Sequence, residues 1–264
     1  MSKIRLDVLI TERGLAESRE RAKAIIMSGN VFIDGNRAEK SGLQVDEASS
    51  IEIRGGQRYV SRGGQKLQKA LDFFNVSPLD KVCVDCGAST GGFTDCLLKS
   101  GARMVYAVDV GYGQLSWIIR NDPRVITMER TNIRYVTADM LKERPELAVV
   151  DVSFISLALV LPVIRSLLTE TGEALCLIKP QFEAGREKVG KRGVVREPET
   201  HRAVLDAFIE NAVKSEFFVK GLTYSPVKGP EGNIEFLGWL GFQGGNEHVD
   251  TADVVLKAHK ELSE

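Results

Sequence analysis

A glycine-rich segment after an apolar run carries the strongest chemical signal in the sequence. It has the spacing Asp-x-Gly-x-x-x-Gly-Gly, from Asp85 through Gly87 to Gly91 and Gly92. Small residues let the backbone turn sharply and approach a ligand closely, and a helix that follows offers free N–H groups. A dinucleotide site has the spacing G-x-G-x-x-G and binds a pyrophosphate. An acid at the strand end disfavours the binding of a phosphate group. The acid suits an ammonium group, so we expect Asp85 to contact an amino-acid moiety.

A second carboxylate, Asp109, ends the next apolar run. In open α/β sheets the ligand lies beyond the carboxyl ends of the strands, where this carboxylate can accept hydrogen bonds from two ribose hydroxyls. S-adenosylmethionine has an amino-acid moiety and a ribose but no phosphate, and we expect it to be the cofactor. The predicted cofactor-binding residues are Asp85, Gly87, Ala88, Ser89, Thr90, Gly91, Gly92, Phe93, Asp109, Asn132 and Asp151. For two of these residues a structural role is the alternative to cofactor binding: a helix cap for Asp109 and a turn for Asn132.

The elements that must position these residues alternate between strands and helices after about residue 63. The predicted strands are 82–85, 104–109, 125–128, 147–151 and 174–178, and the predicted helices lie near 64–75, 92–100, 115–121 and 157–169. This alternation predicts an α/β fold with a largely parallel, doubly wound sheet. Further on we predict a helix near 200–216, an antiparallel pair of strands at 219–224 and 234–242 that closes the sheet, and a peripheral helix at 251–262.

The first sixty residues have a different pattern. Apolar spacing predicts two short helices, one that ends near Gly14 and one over 19–28 with Ser18 as its N-cap. Short runs of β-formers around a turn at Asp34-Gly35 predict a small twisted sheet. The expected domains are a small α+β domain over 1–56, a linker over 57–62 and a larger domain over 63–264.

Composition excludes some classes of protein. The 264 residues are 43% hydrophobic and 27% charged, which is usual for a globular protein. The sequence has no apolar window of the length that a membrane helix needs, which is about 18 residues, and its start lacks the apolar core of a secretory signal. We therefore expect a cytoplasmic protein outside the membrane.

The charge of the chain is unevenly distributed. The net charge is −1, but residues 54–69 and 179–196 are locally basic. Such patches attract a phosphate backbone, and solvated loops are the alternative.

The cysteines offer a second kind of chemistry. The spacing Cys83-x-x-Cys86 is compatible with a redox pair or with half of a zinc site. However, Cys83 alternates with valines in a predicted strand, and none of the three histidines is near a second cysteine pair. We expect buried structural cysteines and no metal site.

Six ordered motifs resemble the TlyA family, whose members are rRNA 2′-O-ribose methyltransferases often called haemolysin A. They are SRGGQKL (61–67), DCGASTGGFT (85–94), DVGYGQL (109–115), DVSFIS (151–156), KPQFE (179–183) and GNIE (232–235). The resemblance covers nearly the whole chain. The front part resembles the S4 RNA-binding domain, through Arg5-Leu6-Asp7, Ser18-Arg19 and residues 29–35. The resemblance implies a Rossmann-like S-adenosylmethionine-dependent methyltransferase fold behind an S4-like domain.

The larger domain is similar to the FtsJ-like methyltransferases, whose active site is a Lys-Asp-Lys-Glu tetrad. Carried over motif by motif, the resemblance implies the catalytic residues Lys66, Asp151, Lys179 and Glu235. The set suits methyl transfer to a ribose 2′-hydroxyl, a poor nucleophile that must be oriented and deprotonated. An ordinary lysine, with a pKa of about 10.4, is a weak base at neutral pH. The sequence leaves open whether Lys179 is a general base or an orienting donor, and two structural Lys–acid pairs are the alternative.

The resemblance also implies a partner, which is ribosomal RNA or a ribosomal subunit, with cytidine as the nucleotide. The predicted RNA-binding residues are Arg5, Arg19, Lys23, Arg58, Arg62, Arg186, Lys188, Lys191 and Arg192. The loop 185–193 is rich in glycine and cations, and we predict a mobile flap that grips RNA, with a plain surface loop as the alternative. Phe154 either supports the target nucleotide or packs in the core.

Two other functions compete with this hypothesis. One is an RNA-binding protein with an inactive methyltransferase fold, but all four tetrad positions carry the expected residue types. The other is a cytolysin, which requires a membrane-inserting segment and usually an export signal. Neither is visible in the sequence, and a cytolysin would leave the glycine-rich segment unexplained.

Overall fold

A computed structural model of the chain describes residues 3–16, 18–27, 29–38, 40–53, 58–190, 192–245, 247 and 249–262. The chain divides into two compact units, an N-terminal unit of Met1–Arg58 with Ser116–Ile118 and a large unit of Tyr59–Leu115 with Ile119–Glu264. The boundaries 1–56, 57–62 and 63–264 stay predictions, because residues 54–57 lie outside the described residues.

The N-terminal unit is a small α+β module. Its elements are β1 (Lys3–Arg5), α1 (Leu6–Glu12), α2 (Arg19–Met27), β2 (Val31–Ile33), β3 (Asn36–Ala38), β4 (Gln44–Asp46) and β5 (Ile51–Ile53). Strand β2 pairs antiparallel with β3 and β5, in agreement with the predicted sheet. The sequence did not predict that β1 pairs with β4, because strands of three residues are too short for an alternating pattern to be recognised.

Local chemistry explains where these elements begin and turn. The Ser18 hydroxyl accepts a hydrogen bond from the Arg21 amide at 3.2 Å, so the predicted N-cap of α2 is confirmed. Between β2 and β3 the backbone has φ values of 48° at Asp34 and 82° at Gly35, both in the left-handed region. Asp-Gly is a favoured pair for two-residue hairpin turns of this kind.

A buried carboxylate ties the two helices of this unit together. Asp7, in the first turn of α1, accepts hydrogen bonds from Arg5 Nε and Nη2 at 3.0 Å each and from Arg19 Nη2 at 3.2 Å. The hydrogen bond from Arg5 is the largest factor that lowers the pKa of Asp7, to about 2, against an opposing effect of burial. Because Arg19 begins α2, the carboxylate fixes the starts of both helices.

The large unit contains the remaining strands and most of the remaining helical residues. In chain order the elements are α3 (Gly63–Phe74), β6 (Val82–Cys86), α4 (Gly92–Lys99), β7 (Met104–Val108), α5 (Trp117–Arg120), β8 (Val125–Met128), β9 (Leu147–Val150), α6 (Leu161–Leu167), β10 (Glu173–Ile178), α7 (Pro180–Glu183), α8 (Pro198–Lys214), β11 (Phe218–Tyr224), β12 (Phe236–Gly241) and α9 (Thr251–Leu262). Short 3-10 turns occur at Ile133–Tyr135, Ala138–Met140, Leu157–Leu159 and Arg186–Lys188.

One seven-stranded sheet forms the centre of this unit, in the order β11-β12-β10-β9-β6-β7-β8. Strands β10, β9, β6, β7 and β8 are parallel, and β12 is antiparallel to β10 and β11. The predicted α/β fold and its closing antiparallel pair are therefore confirmed. Every residue of β6 is buried, as expected for a strand covered on both faces.

The topology marks one place where a ligand can bind. From β6 the chain continues to β7 and β8 on one side and then returns to β9 and β10 on the other side. The loops that leave β6 and β9 therefore run in opposite directions beyond the carboxyl ends of these strands. Such a switch point is where ligands bind in open α/β sheets.

Two helices differ from the prediction. The helix expected over 157–169 is a 3-10 turn followed by α6, which starts at Leu161, because Pro162 has no N–H and is favoured only in the first turn of a helix. The helix at 251–262 is present but not peripheral. Val255 and Ala258 are buried, and α9 packs against α8 and β11.

The Asp7 cluster leads to a prediction about stability. Asp7→Asn keeps the shape of the side chain but removes the charge that strengthens both arginine bonds. We expect the local free energy of unfolding to fall by about 1–3 kcal/mol, measured as faster hydrogen–deuterium exchange of the α1 and α2 amides in the intact chain. Glu20→Gln removes an exposed charge from α2 and serves as the control. Unchanged exchange in Asp7→Asn would contradict the role of the cluster.

Candidate active site

The loop after β6 approaches the end of β9 as closely as the backbone allows. A Cβ atom on Gly87 would lie 2.4 Å from the Asp151 carbonyl oxygen, and the residue has a φ of 88°. Gly91, which precedes α4, has a φ of 92°. Both positions require glycine, since other residues rarely adopt this conformation. The predicted sharp turn therefore lies directly against the strand that carries Asp151.

A cavity of about 770 Å³ opens beyond the carboxyl ends of β6, β7 and β9. Five predicted cofactor-binding residues line it: Gly87, Ser89, Asp109, Asn132 and Asp151. Other wall residues follow β8 and β9 and were not predicted from the sequence, among them Thr131, Ile133, Val152, Ser153 and Ile155. Each of these residues lies within four positions of a predicted residue. Their position just after the end of a strand is the sequence signal that could have identified them.

Backbone amides hold both carboxylate oxygens of Asp109. One carboxylate oxygen accepts a hydrogen bond from the Ser89 amide at 2.8 Å, and the other accepts one from the Gly111 amide at 2.6 Å. These bonds connect the loop after β6 with the loop after β7. Each oxygen keeps a further lone pair, so the carboxylate can still accept hydrogen bonds from a ligand in the cavity.

Asn132 combines the two roles that the sequence left open. Its side-chain oxygen accepts a hydrogen bond from the Arg134 amide at 3.1 Å and caps the 3-10 turn Ile133–Tyr135. The residue also lines the larger cavity. Forming the turn is therefore what places Asn132 in the cavity wall.

Asp85 does not occupy the position that we predicted. Its side chain is fully buried, and it lines neither of the two cavities at this edge of the sheet. One oxygen accepts a hydrogen bond from the Thr94 hydroxyl at 2.6 Å, which ties the end of β6 to α4. Burial raises the pKa of Asp85 to about 7. The carboxylate borders neither cavity, and its contact with an ammonium group stays a prediction.

A second cavity, of about 210 Å³, lies on the other side of the glycine loop. Its walls contain the predicted residues Arg62, Lys66, Gly87, Ala88, Ser89, Thr90, Gly92, Phe93 and Asp151. Gly87, Ser89 and Asp151 line both cavities. Groups bound in the two cavities would therefore both border Asp151.

The four tetrad residues form two ion pairs. Lys66 Nζ lies 2.5 Å from Glu235 Oε2, and both side chains are buried. Lys179 Nζ lies 2.5 Å from Asp151 Oδ1 and donates a hydrogen bond to Ser153 Oγ at 2.9 Å. Since Lys66 and Asp151 line the same small cavity, the fold brings the two pairs to one place. The remaining members, Lys179 and Glu235, line neither cavity and are held in place by their partners.

The chain beyond β9 presents an aromatic side chain to solvent. Phe154 is 91% exposed, so the alternative that it packs in the core is wrong. Its backbone has a φ of 64°, and its ring contacts Phe182 with the centroids 5.1 Å apart. Phe154 also lines the larger cavity. An aromatic ring held in this way at a cavity mouth offers a surface for a planar group.

The predicted RNA-binding residues fall into three groups. Arg5 and Arg19 flank Asp7, and their side chains stay 44% and 51% exposed, while Lys23 is half-buried on α2. Arg58 and Arg62 are exposed before α3. In the loop after α7, the exposed residues are Arg186, Lys188 and Arg192, and Lys191 lies outside the described residues. The Asn233 amide donates to the Gly193 carbonyl at 2.9 Å, so one end of this loop is anchored.

The basic stretch 54–69 is not a continuous exposed patch. Lys66 is buried beside Glu235, and Lys69 is half-buried with its ammonium 3.4 Å from the centroid of the Tyr224 ring. Helical periodicity turns these two lysines toward the protein, whereas Arg62 remains exposed. Arg54 lies outside the described residues.

The cysteines do not form a reactive pair. All four are buried and stand outside disulfide bonds, as predicted. Burial raises the pKa of Cys83 to about 12 and that of Cys86 well above its usual value. Both therefore remain thiols, which are poor nucleophiles and poor metal ligands. Within the described part of the chain, no cluster of three His, Cys, Asp or Glu side chains is placed to hold a metal ion.

Two family models match the chain. The model of the FtsJ-like methyltransferases matches residues 59–242, and the model of the S4 domain matches residues 4–51. The chain belongs to the FtsJ-like methyltransferases. The glycine loop, both ion pairs and both cavities lie within the matched range of this methyltransferase. The expected enzyme class, the Rossmann-like methyltransferase fold and the S4-like front domain are thus confirmed.

Individual relatives of this methyltransferase carry more specific names. YqxC of Bacillus subtilis (strain 168), a candidate rRNA methyltransferase, is 53% identical over 99% of this chain and 96% of its own length. The 16S/23S rRNA (cytidine-2′-O)-methyltransferase TlyA of Mycobacterium tuberculosis (strain ATCC 25618 / H37Rv) is 42% identical over 89% of each chain. The solved structure of a candidate hemolysin from Streptococcus thermophilus has 46% identity and a TM-score of 0.75, and the match covers 100% of this chain and 98% of that one. The resemblance to the TlyA family is confirmed.

The hemolysin name raises the question of membrane insertion. Among the residues that the structure describes, none of the helices combines the length and the apolar character needed to cross a bilayer.

The buried Asp85 carboxyl leads to a prediction about pH. In the unfolded chain it ionises near its ordinary pKa of 3.8, whereas in the folded chain it stays protonated up to about pH 7. The folded state therefore loses stability relative to the unfolded state as the pH rises through this window. Asp85→Asn cannot ionise, so its free energy of unfolding relative to wild type should rise by up to roughly 4 kcal/mol between pH 4 and pH 7.

Urea unfolding at a series of pH values measures this difference. Glu210→Gln, a change at an exposed residue of α8, is the control and should show no such trend. A difference between Asp85→Asn and wild type that is constant across the pH range would show that the carboxyl does not titrate there.

Proposed function

We propose that this enzyme transfers the methyl group of S-adenosylmethionine to the ribose 2′-hydroxyl of a cytidine in ribosomal RNA. The observation that carries the proposal is the Lys179–Asp151 pair at the junction of two cavities, with Lys66 of the second pair in the same wall. The names of the relatives, which include a 16S/23S rRNA (cytidine-2′-O)-methyltransferase, and the S4 domain support the choice of acceptor.

The larger cavity has the properties that the cofactor requires. Its volume of about 770 Å³ lies within the range of about 300–1,000 Å³ that is usual for small-molecule sites. We assign the ribose of the cofactor to Asp109, whose carboxylate is held in place by two backbone amides. Gly87, Ser89 and Asn132 form the adjacent walls. Asp85 acts indirectly, because its bond to Thr94 supports the loop from behind.

When bound, S-adenosylmethionine supplies an electrophilic methyl group on a sulfonium centre. The residues of this chain orient the acceptor. The Asp151 carboxylate accepts the hydrogen bond of the 2′-hydroxyl and takes up its proton as the hydroxyl oxygen bonds to the methyl carbon and the carbon–sulfur bond breaks. Lys179 Nζ, held by Ser153 Oγ, fixes the hydroxyl oxygen and the carboxylate in one geometry. Lys66, held by Glu235, lines the same small cavity and offers a positive charge to the ribose–phosphate backbone. Alignment of this kind accounts for a large part of catalysis in a displacement reaction.

RNA contacts are assigned to both units. In the N-terminal unit Arg5, Arg19 and Lys23 contact the phosphate backbone, and in the large unit the cationic loop after α7 does the same. Phe154 supports the target nucleotide, since its exposed ring lies at the mouth of the larger cavity. A ribosomal RNA or a ribosomal subunit is the proposed partner. The cytoplasmic location stays a prediction.

The catalytic assignment is tested by Lys179→Ala. The change removes the ammonium that orients the hydroxyl and leaves Asp151 without its partner, so methyl transfer to rRNA should fall by at least about 100-fold. Binding of S-adenosylmethionine, measured by titration calorimetry, should change little because Asp109 and the glycine loop are intact. Lys214→Ala, at an exposed position of α8, is the matched control. Turnover in Lys179→Ala equal to that of wild type would sink the assignment.

The role of the loop after α7 is tested by Lys188→Ala. Loss of one exposed cation that contacts a phosphate should weaken binding to rRNA fragments of any sequence and reduce the slope of log K against log salt by about one. The binding constant is measured over a range of salt concentrations, again with Lys214→Ala as the control. An unchanged slope would place the RNA path elsewhere on the unit.

A further inference from the structure

The wall that carries the Lys179–Asp151 pair is built from two segments, residues 151–157 after β9 and residues 179–183 after β10. The segments meet at three successive points, which are Lys179 with Asp151 and Ser153, Phe182 with Phe154, and Glu183 with Ser156 and Leu157. The first two contacts involve residues that the sequence had singled out. The third contact belongs to a residue to which no function had been assigned.

Glu183 holds the far end of the first segment with both carboxylate oxygens. Oε2 accepts a hydrogen bond from the Ser156 hydroxyl at 2.7 Å, and Oε1 accepts one from the Leu157 amide at 2.8 Å. Both of these partners are uncharged, and burial raises the pKa of Glu183. Partial burial of a carboxylate beside uncharged partners costs free energy. We call the two hydrogen bonds of Glu183 the clamp, and the cost indicates that the clamp has a functional role.

The two ends of the segment are fixed in different ways. At its start, the Asp151 amide donates to the Cys86 carbonyl at 2.9 Å and so continues the ladder of the sheet. At its end, Glu183 provides the side-chain anchor. Between these two points lie Ser153, which accepts the hydrogen bond of Lys179, and the exposed Phe154, whose φ of 64° is unusual for a bulky residue. A strained backbone conformation of this kind persists only where the surrounding structure holds the segment on both sides.

We propose that Glu183 is a positioning residue for the methyl-acceptor hydroxyl. It fixes residues 152–156 against α7 and thereby sets the geometry of Ser153, Lys179 and Asp151. Glu183 lines neither cavity, so it acts only through the segment that it holds. The inference rests on the proposed function, because it assigns the hydroxyl to this pair.

Residues 152–156 also form part of the wall of the larger cavity, but the proposed ribose contact at Asp109 is held by other bonds. The Asp109 carboxylate is fixed by the amides of Ser89 and Gly111, and Gly87 abuts the Asp151 carbonyl at the fixed end of the segment. None of these contacts depends on Glu183. Because the contacts at Asp109 and at the glycine loop remain, loss of the clamp should reduce turnover more than it reduces the affinity for the cofactor.

The test uses Glu183→Gln in the full chain. The amide can accept a hydrogen bond at only one of its two ends, so one of the two anchors is lost. We expect kcat for rRNA methylation to fall between about 10-fold and 100-fold, while the dissociation constant for S-adenosylmethionine rises by less than about fivefold. Glu210→Gln, at an exposed position of α8, is the matched control and should leave both quantities unchanged.

A second variant makes the test independent of folding defects at position 183. Ser156→Ala removes the hydroxyl bound by Oε2 and should lower kcat in the same direction. If Glu183 acts through Ser156, the double variant should lose little more than Glu183→Gln alone, since the effects of coupled residues are not additive. If Glu183→Gln does not fold, Ser156→Ala carries the test with the same measurements.

The outcomes separate this proposal from the proposed function. Absence of methyl transfer by the wild-type enzyme on rRNA would refute the function itself. With an active wild type, a kcat of Glu183→Gln within about twofold of wild type would overturn the positioning role. So would a loss of cofactor affinity as large as the loss of kcat, because that pattern indicates a general structural role.

Discussion

The site depends on one close contact, the approach of the Gly87 backbone to the carbonyl oxygen of Asp151. No side chain fits between them, since a Cβ atom would come within 2.4 Å of that oxygen. The contact joins the loop after β6 to the end of β9, the two neighbouring strands at which the sheet changes direction. Because the two loops touch here, Asp151 borders both the larger and the smaller cavity. In the proposed reaction the methyl donor and the methyl acceptor can then meet beside Asp151, whose backbone is held by this contact.

Polar groups around this contact are held in two distinct ways. Asp109 is fixed by backbone amides, which cannot move without disturbing strands, whereas Lys66 and Lys179 are fixed by carboxylates from distant parts of the chain. Lys66 and Glu235 are separated by 169 residues in sequence. The proposed cofactor wall is therefore largely local in sequence, and the proposed acceptor wall exists only when the whole unit has folded.

That difference explains what the sequence could and could not predict. Strands and helices followed from apolar spacing, and the glycine loop followed from small residues at a strand end, since these are local signals. The burial of Asp85 and the direction of Lys69 were missed, because both depend on the backbone or side chains that cover them in the folded chain. The clamp at Glu183 was missed for the same reason. Its partners are 26 and 27 residues away, and no local pattern marks them.

The pairing within the tetrad has a consequence for how the enzyme can be tuned. Two lysines and two acids give the proposed catalytic set a formal charge of zero, so the set itself exerts little long-range attraction on a polyanion. Attraction must come from cations that lie outside the set, on the surface. Natural variation or engineering at those surface positions can therefore adjust which RNA is captured, and how tightly, without changing the chemistry of the transfer step.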